Sequence, residues 1–291
     1  MYITALVALA VALAWPVPRL MARFTAFRRA PRSALVVWQA TAVAAVLAAL
    51  FTAPVAVARI VNDETWAASH LGPISLAGGI SGLMLARLLL VGHKVGTNLR
   101  SVRRKHRELV DVLAVHGETH VRVLEHDTPT AYCLPGSKRR VVLTQGTIDT
   151  LPGQELDAVL AHERAHLAAR HDLILEFFTV VHEAVPAFVR SDRALREVQL
   201  LIEVLADRAA VREVGALPTA RAIVMMASGP KPVGSMAILE TPSAAKVRIG
   251  LLNGRTIAGV DVSVASWVMY AFAASLVAAP VTILLMALQA I

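Results

Sequence analysis

The chain has 291 residues, of which 56% are hydrophobic and only 17% are charged. Soluble globular proteins are near half apolar and about a quarter charged, so a purely soluble fold and intrinsic disorder are both excluded. A single cysteine, Cys133, excludes an internal disulfide framework. Charged residues are absent from four blocks, at 1–18, 33–58, 65–86 and 262–291.

These blocks predict four transmembrane helices, because about 20 apolar residues cross a bilayer. The predicted spans are 1–18, 33–58, 71–92 and 262–290. The first one competes with a signal peptide, since it is short and rich in alanine. Signal peptides begin with basic residues, whereas here the arginines all follow the apolar stretch. We therefore predict a retained first helix.

Basic residues indicate the orientation of these spans. The loop 15–33 contains five arginines, whereas the loop 59–70 contains one arginine, Arg59, and two acidic residues. Six basic residues follow span three, between Lys94 and Arg107. Because Lys and Arg accumulate on the cytoplasmic side, we predict a multi-pass protein of a bacterial-type cytoplasmic (inner) membrane. Both termini lie outside in this prediction, and residues 93–260 form a cytoplasmic domain. Arg87, near the cytoplasmic end of span three, is expected to snorkel.

The net charge of +8 and the pI of about 10.3 follow largely from this orientation. Basic residues cluster beside the spans, where they face anionic lipid headgroups. No stripe of basic residues interleaved with aromatic ones occurs, so direct nucleic-acid binding is not expected. The expected partners are the lipid bilayer and a protein substrate, and a homodimer stays open.

The domain 93–260 begins with a basic helix over 100–117 and a short β-region. Strands are predicted at 121–125, 131–134 and 139–144, and the turn residues Pro135-Gly136-Ser137 separate the last two. The next helix is predicted to start with Thr150 as its N-cap and Pro152 in its first turn. Cys133 is expected to be a buried thiol. The stretch 229–234 is expected to be a flexible loop, where autocleavage is an open alternative.

This helix leads into His162-Glu163-Arg164-Ala165-His166, an H-E-x-x-H pattern. Residues i and i+4 share one face of a helix, so both imidazoles can bind a single metal ion. Glu163 can then act as general base toward water at that ion. The structural alternative is a helix with two solvated histidines and an ion-pairing glutamate. The pattern predicts a zinc site with His162 and His166 as ligands.

A catalytic zinc takes a third protein ligand as a rule. We predict Glu203, from a second helix around 200–207, with Asp207 on the same face orienting a liganding imidazole. Glu176, His182 and Glu183 remain alternatives, and His171 and Asp172 are judged too near on the helix of His166. The apolar stretch 173–189 is expected to be a membrane-apposed or core helix and not a fifth span.

These motifs resemble those of the gluzincin membrane proteases. The resemblance rests on Val-Val-Leu-Thr-Gln-Gly at 141–146, Ala-Val-Leu-Ala-His-Glu-Arg-Ala-His at 158–166 and Glu-Val-Leu-Ala-Asp at 203–207. Three spans before the domain and one after it resemble the BlaR/MecR-type peptidases in particular. The resemblance implies that zinc is bound by His162, His166 and Glu203 and that Glu163 is the general base. It also implies that Asp207 is an acidic residue that contacts a zinc ligand and not the zinc itself.

The chain also departs from these families. BlaR/MecR-type sensors carry a penicillin-binding domain after the last span, and we expect no such domain here. Many relatives also place an Asp nine residues after the first motif histidine, whereas Asp172 is ten after His162. HtpX-like quality-control proteases have a Thr-His-Pro segment, and the comparable residues 240–243 contain no histidine. Arg248 is expected either to bind substrate or the oxyanion, or to be a surface or tail-packing residue.

The predicted fold class is a mainly α membrane protein, in which an α+β gluzincin-like metalloprotease domain lies between spans three and four. The predicted activity is zinc-dependent endoproteolysis of a cytoplasmic protein, such as a BlaI/MecI-type transcriptional repressor, and of the chain itself. An HtpX-like quality-control protease and a non-catalytic signalling scaffold are the alternatives. A substrate is expected to bind by β-addition to the strand that contains Arg140, Val141, Val142, Leu143 and Thr144.

Overall fold

The computed structural model describes residues 1–62, 69–114, 120–136, 139–227, 242–252, 256–257 and 259–290. The chain divides into two compact units. The first, called the helical unit, comprises Met1–Lys94, Phe178–Val198 and Ile257–Ile291. The second, called the sheet unit, comprises Val95–Phe177 and Gln199–Thr256. The predicted loop 229–234 and residues 240–241 lie outside the described residues.

Most of the chain is helical. The helices are α1 Tyr2–Ala14, α2 Pro16–Met21, α3 Pro31–Asn62, α4 Leu71–Leu113, α5 Gln145–Thr150, α6 Gly153–Ala168, α7 His171–Ala184, α8 Asp192–Val214, α9 Ala216–Met226, α10 Pro242–Leu251 and α11 Val262–Gln289, with a 3-10 turn at Thr25–Arg29. The strands are β1 Val121–Leu124, β2 Ala131–Leu134, β3 Arg140–Thr144, β4 Thr256–Ile257 and β5 Val260–Asp261.

Among the described residues, four helical segments are long and apolar enough to cross a membrane, which agrees with the four apolar helices expected from the sequence. They are Tyr2–Met21, Pro31–Asn62, Leu71–Leu113 and Val262–Gln289. Their order around the domain 93–260 and their orientation stay predictions. The apolar stretch after His171 forms α7, which has 14 residues and is too short to span a bilayer.

Alanines make up much of the buried face of α3. Ala44, Ala45 and Ala48 are among its buried residues, and α3 packs against both α1 and α11. Lipid tails are as apolar as leucine, so membrane helices associate through close packing of small residues and through hydrogen bonds. The composition of α3, rich in alanine, thus fits a central position in the helical unit.

A hydroxyl cluster joins α3 to α4 at the proline of α3. Pro54 has no N–H, so the carbonyl of Leu50 loses its helical partner. The Ser81 hydroxyl donates to that carbonyl at 3.1 Å, and it lies 2.8 Å from the Thr52 hydroxyl. Neighbouring hydroxyls commonly satisfy the groups that a proline leaves unpaired in a membrane helix.

Two expectations for the helices are wrong in detail. The span 71–92 and residues 100–113 of the predicted basic helix form one continuous helix, α4, because arginine, lysine and leucine all favour helix and no proline separates the two stretches. Residues 115–117 of that prediction lie outside the described residues. Arg87 does not snorkel into the interface. Its guanidinium donates to the main-chain carbonyls of Glu183 and Ala184, at the end of α7, and of Val185, the residue after it. It therefore satisfies a helix C-terminus.

The main sheet has the strand order β1-β3-β2, with β1 parallel and β2 antiparallel to β3. Every residue of β3 from Val141 to Thr144 pairs with β1 on one side, and Arg140 to Leu143 pair with β2 on the other. The expectation that Arg140–Thr144 binds substrate by β-addition is therefore wrong, since both edges of this strand are already used. All five residues are buried, and Arg140 pairs with Asp111 at 3.0 Å.

A threonine network fixes the connection from β3 to α5. The Thr144 side chain accepts from the N–H of Thr147 and caps α5, and both hydroxyls accept from the N–H of Thr130. Gly146 has no room for a side chain, since an added Cβ would lie 1.9 Å from the carbonyl oxygen of Asp127. The Leu-Thr-Gln-Gly sequence is thus required by capping and by close approach of two backbones.

The prediction that Thr150 is the N-cap of the helix with the H-E-x-x-H motif, α6, is also wrong. Thr150 is the last residue of α5, and α6 follows after Pro152, which caps it without a side-chain hydrogen bond. Thr144 is the N-cap of the short helix α5, and Thr150 is the last residue of that helix. The sequence pattern alone did not separate these two helices.

Candidate metal centre

Helix α6, which contains the H-E-x-x-H motif, packs against the main sheet. Ala158 and Val159 are buried against Ala131 and Leu143 of the sheet. This contact fixes the rotation of α6, so the residues that follow the buried face, starting with His162, turn toward a cleft in the sheet unit. The motif therefore projects from a rigid helix anchored on the sheet.

The structure brings His162, His166 and Glu203 together, with one ligand atom of each within 4.8 Å of the others. The two Nε2 atoms lie 3.0 Å apart, and each lies 3.5 Å from a carboxylate oxygen of Glu203. A tetrahedral zinc with bonds of about 2.0–2.1 Å separates its ligand atoms by about 3.3 Å. Two imidazoles and one carboxylate at these separations fit a catalytic zinc.

Asp207 lies one turn beyond Glu203 on α8. Its Oδ1 is 3.0 Å from Nδ1 of His162, the ring nitrogen opposite the one that faces the metal group. A carboxylate at this nitrogen fixes the tautomer and the ring orientation of a liganding imidazole. Asp207 is fully buried, so this contact is shielded from water.

Arg248 of α10 contacts the carboxylates of both Asp207 and Glu203. Its Nε and Nη2 donate to the two oxygens of Asp207 at 2.7 and 2.5 Å, and its Nη1 lies 3.1 Å from Glu203. Arg248 is only 3% exposed, so the surface alternative is wrong. Two buried carboxylates side by side are costly without a cation. The geometry makes Arg248 the residue that holds Asp207 and Glu203 in place.

The charges of the site shift its pKa values in opposite directions. Burial works against protonation of His162, but hydrogen bonds and charges from Asp207 and Glu203 outweigh it and raise its pKa to about 9. Burial would raise the pKa of Glu203, yet the Arg248 charge and the two histidines hold it well below its ordinary value. Glu203 is therefore ionised, as a metal ligand must be.

His171 contacts the ring nitrogen of His166 that does not face the metal group, a role that was not predicted from the sequence. Its Nδ1 lies 2.9 Å from Nδ1 of His166, and it is 3% exposed. Burial lowers the pKa of His171 to about 4 and that of His166 to about 3, so both rings are neutral. One ring then donates to the other.

His171 is not a member of the ligand group, but the expectation that it shares a helix with His166 is wrong, because that helix ends first. Helix α6 stops at Ala168, and Arg170 adopts a left-handed conformation with φ 50° before α7 begins. Non-glycine residues are uncommon there, and neither glycine nor proline marks this break in the sequence. No local signal could have predicted the turn that brings His171 back to His166.

Other residues weighed as ligands are engaged elsewhere. Glu176 lies 3.7 Å from Arg103, which also contacts Asp172 at 3.4 Å. His182 bonds Asp192 at 2.9 Å, and Glu183 lies 3.4 Å from Arg190. Among the residues that the structure describes, only the group His162, His166 and Glu203 has its ligand atoms so close together.

Glu163 lines a cleft of about 420 Å³, together with His162, Ala131 of β2 and Arg248. Glu163 also hydrogen-bonds the Cys133 thiol, and burial followed by the Glu163 charge raises the pKa of that thiol well above its ordinary value. Cys133 is fully buried, as expected. The acidic residue of the H-E-x-x-H motif thus lines the cleft beside the ligand group.

Comparison with known proteins gives one family match and one similar curated protein. Residues 97–227 match the family model described as Peptidase family M48. The "Plastoglobule-localized metallopeptidase 48, chloroplastic" of Arabidopsis thaliana is 31% identical over 146 residues, which is 45% of this chain and 42% of that protein. The chain thus matches less than half of its curated relative. No solved structure matches.

The matched segment contains the whole candidate metal group. His162, Glu163, His166 and Glu203 all lie within 97–227, whereas Arg248 and most of the apolar helices lie outside it. The segment is therefore similar to metallopeptidases, and zinc as the metal is consistent with its two histidines and one glutamate.

Proposed function

We propose that this protein is a membrane-anchored zinc metalloendopeptidase whose active site faces the cytoplasm. The observation that carries the proposal is the convergence of His162, His166 and Glu203 beside Glu163, in a segment similar to Peptidase family M48. When bound, zinc supplies a Lewis acid that polarises a carbonyl and lowers the pKa of water. His162, His166 and Glu203 would hold it.

Glu163 is the proposed general base. It lies next to the first ligand and lines the cleft, so its carboxylate can accept a proton from the attacking water. It then returns that proton to the amine of the leaving peptide. Asp207 and Arg248 act earlier, because they keep the His162 ring and the Glu203 carboxylate oriented before substrate arrives.

A substrate strand would add to β2. One side of β2 pairs with β3, and among the described strands none pairs with its other side. Ala131 of β2 lines the same cleft as Glu163, so a peptide on that edge would pass the base. Main-chain hydrogen bonds supply affinity in this mode, and only alternate side chains are read. Selectivity would then come from docking outside the cleft.

The proposed substrate is a cytoplasmic regulator, such as a BlaI/MecI-type transcriptional repressor, because the span arrangement resembles the BlaR/MecR-type peptidases. The family match covers only the segment around the metal group, so an HtpX-like quality-control protease is a second candidate. A discrete fragment of one regulator in cells supports the first. Stabilisation of many membrane proteins on deletion supports the second.

The decisive variant is Glu163→Gln. It keeps the side-chain volume and removes the proton acceptor, so we expect about one zinc per chain, an unchanged melting temperature and loss of proteolysis. Glu213→Gln is the matched control, because Glu213 is 57% exposed and lies 3.9 Å from Arg164. Metal analysis and cleavage of casein by the purified full chain give both readouts.

Glu203→Ala should lose zinc and activity together, since one of three ligands is removed. A Glu163→Gln protein that cleaves at the wild-type rate would contradict the peptidase assignment and favour the scaffold alternative. A Glu203→Ala protein with full zinc would move the third ligand to another residue.

A further inference from the structure

The helical unit contains a large apolar cavity. About 780 Å³ of its space is not filled by protein atoms, and part of that space is open to the surroundings. Its walls come from α1, α3, α4, α7 and α8, and include Leu13, Trp38, Ala45, Met84, Phe178 and Leu195. Apolar clefts between packed helices are common binding sites for small ligands.

Three arginines lie in or beside the wall of this cavity. Arg190 lines it, and Arg19 donates to the carbonyls of Phe188 and Arg190 in the same segment. Arg87 donates to the carbonyls of Ala184 and Val185, two further lining residues. Three guanidinium groups therefore donate to main-chain carbonyls of the segment 183–190, and Arg19, Arg87 and Arg190 are together called the arginine collar below.

The arginine collar carries excess positive charge. The hydrogen bonds of Arg19 and Arg87 go only to main-chain carbonyls within the described residues, and Arg190 lies 3.4 Å from Glu183. Asp192, the other acid nearby, bonds His182. Main-chain carbonyls orient a guanidinium without neutralising it, so the collar can still attract an anion.

We propose that the cavity binds an acyl chain of an anionic phospholipid from the surrounding bilayer, with the lipid phosphate at the arginine collar. An apolar wall accepts a hydrocarbon chain at no desolvation cost, and arginines between membrane helices at the cytoplasmic side favour anionic headgroups. The wall includes the first turns of α8, the helix that also carries Glu203 and Asp207.

The cavity is too small for a helix of a membrane protein substrate. A helix about 10–12 Å wide with a rise of about 1.5 Å occupies roughly 120–170 Å³ per residue, so the space would hold only about six residues. A single hydrocarbon chain is much thinner. The volume therefore favours a lipid chain over a peptide helix.

The test uses the full chain in nanodiscs that contain phosphatidylglycerol or phosphatidylcholine with a photoactivatable acyl chain. Cross-links are mapped by mass spectrometry. We expect phosphatidylglycerol to label Trp38, Met84 and Leu195 at least about fivefold more than phosphatidylcholine, since each basic contact favours anionic lipid. Trp267 and Phe272 of α11, which are 75% and 52% exposed, should be labelled equally by both lipids.

Two pairs of variants refine the result. Ala42→Phe fills the cavity and should abolish cavity labelling, whereas Val264→Phe on an exposed face of α11 should not. Arg19→Gln with Arg190→Gln should remove the preference for phosphatidylglycerol. Arg193→Gln with Arg196→Gln removes the same charge from exposed positions of α8 and should preserve it.

Equal labelling of the cavity by the two lipids would overturn the proposal, as would labelling that survives Ala42→Phe. The comparison of the two lipids needs only the wild-type chain, so the proposal stays falsifiable if a variant does not fold. Neither readout depends on proteolysis.

Discussion

At the residue scale, the buried negative charges of the proposed zinc site are offset by positive charges on neighbouring side chains. Glu203 and Asp207 bring two buried negative charges, and Arg248 brings one buried positive charge that contacts both. His162, whose pKa is raised to about 9, carries a proton at neutral pH when no metal is bound. A zinc ion would replace that proton with a larger charge. The buried carboxylates are therefore suited to holding a cation at this position.

His171 gives a test of support for a ligand at the residue scale. His171→Ala removes the ring that bonds His166 at 2.9 Å, so zinc affinity should fall about 10–100-fold, the usual cost of losing such a partner. His171→Asn keeps an amide near that nitrogen and should recover part of the loss. Affinity is measured by competition with a fluorescent chelator on the purified protein.

His182→Ala is the control for this experiment, because His182 bonds Asp192 and not a residue of the metal group. It should bind zinc as the wild type does. If His171→Ala kept wild-type affinity, the contact between His171 and His166 would have no role in holding the metal.

At the scale of elements, the connection between β3 and α5 depends on one glycine. Gly146→Ala places a Cβ 1.9 Å from the Asp127 carbonyl oxygen, so two backbones must separate. Forced contacts of this kind typically cost about 1–3 kcal/mol. We expect a melting temperature several degrees lower, measured by intrinsic fluorescence of the solubilised full chain.

Gly250→Ala is the matched control, since Gly250 lies in α10 and an added Cβ meets no atom within 4 Å. Alanine favours helix over glycine, so the control should be neutral or slightly stabilising. A Gly146→Ala protein as stable as the wild type would show that the two backbones are not held as close as described.

Local patterns predicted some of these elements and not others. The four apolar helices and the pairing of His162 with His166 follow from runs of apolar residues and from i,i+4 spacing, which need no tertiary information. The strand order does not. Arg140–Thr144 had a strand pattern, but only the partners on each side decide whether an edge is free. The partnership of Arg248 with Asp207 is equally non-local, since 41 residues separate them.

At the scale of the whole molecule, the proposed function depends on which side of the membrane each segment occupies. Residues 93–260 must face the cytoplasm for a cytoplasmic regulator to reach Glu163. The distribution of arginine and lysine predicts this orientation. The arginine collar agrees with the same prediction, because its residues Arg19 and Arg87 belong to segments expected at the cytoplasmic side.

Cysteine accessibility tests this orientation directly. Cys133 is fully buried and its thiol pKa is raised, so the wild-type chain should give almost no reaction with maleimide reagents. Single cysteines are then introduced at three exposed positions, in the variants Asn62→Cys, Arg104→Cys and Ala290→Cys. A maleimide that does not cross membranes is added to intact cells. It should label positions 62 and 290, and it should label position 104 only after lysis. Labelling of position 104 in intact cells would place the metal centre outside, and a cytoplasmic substrate could not reach it.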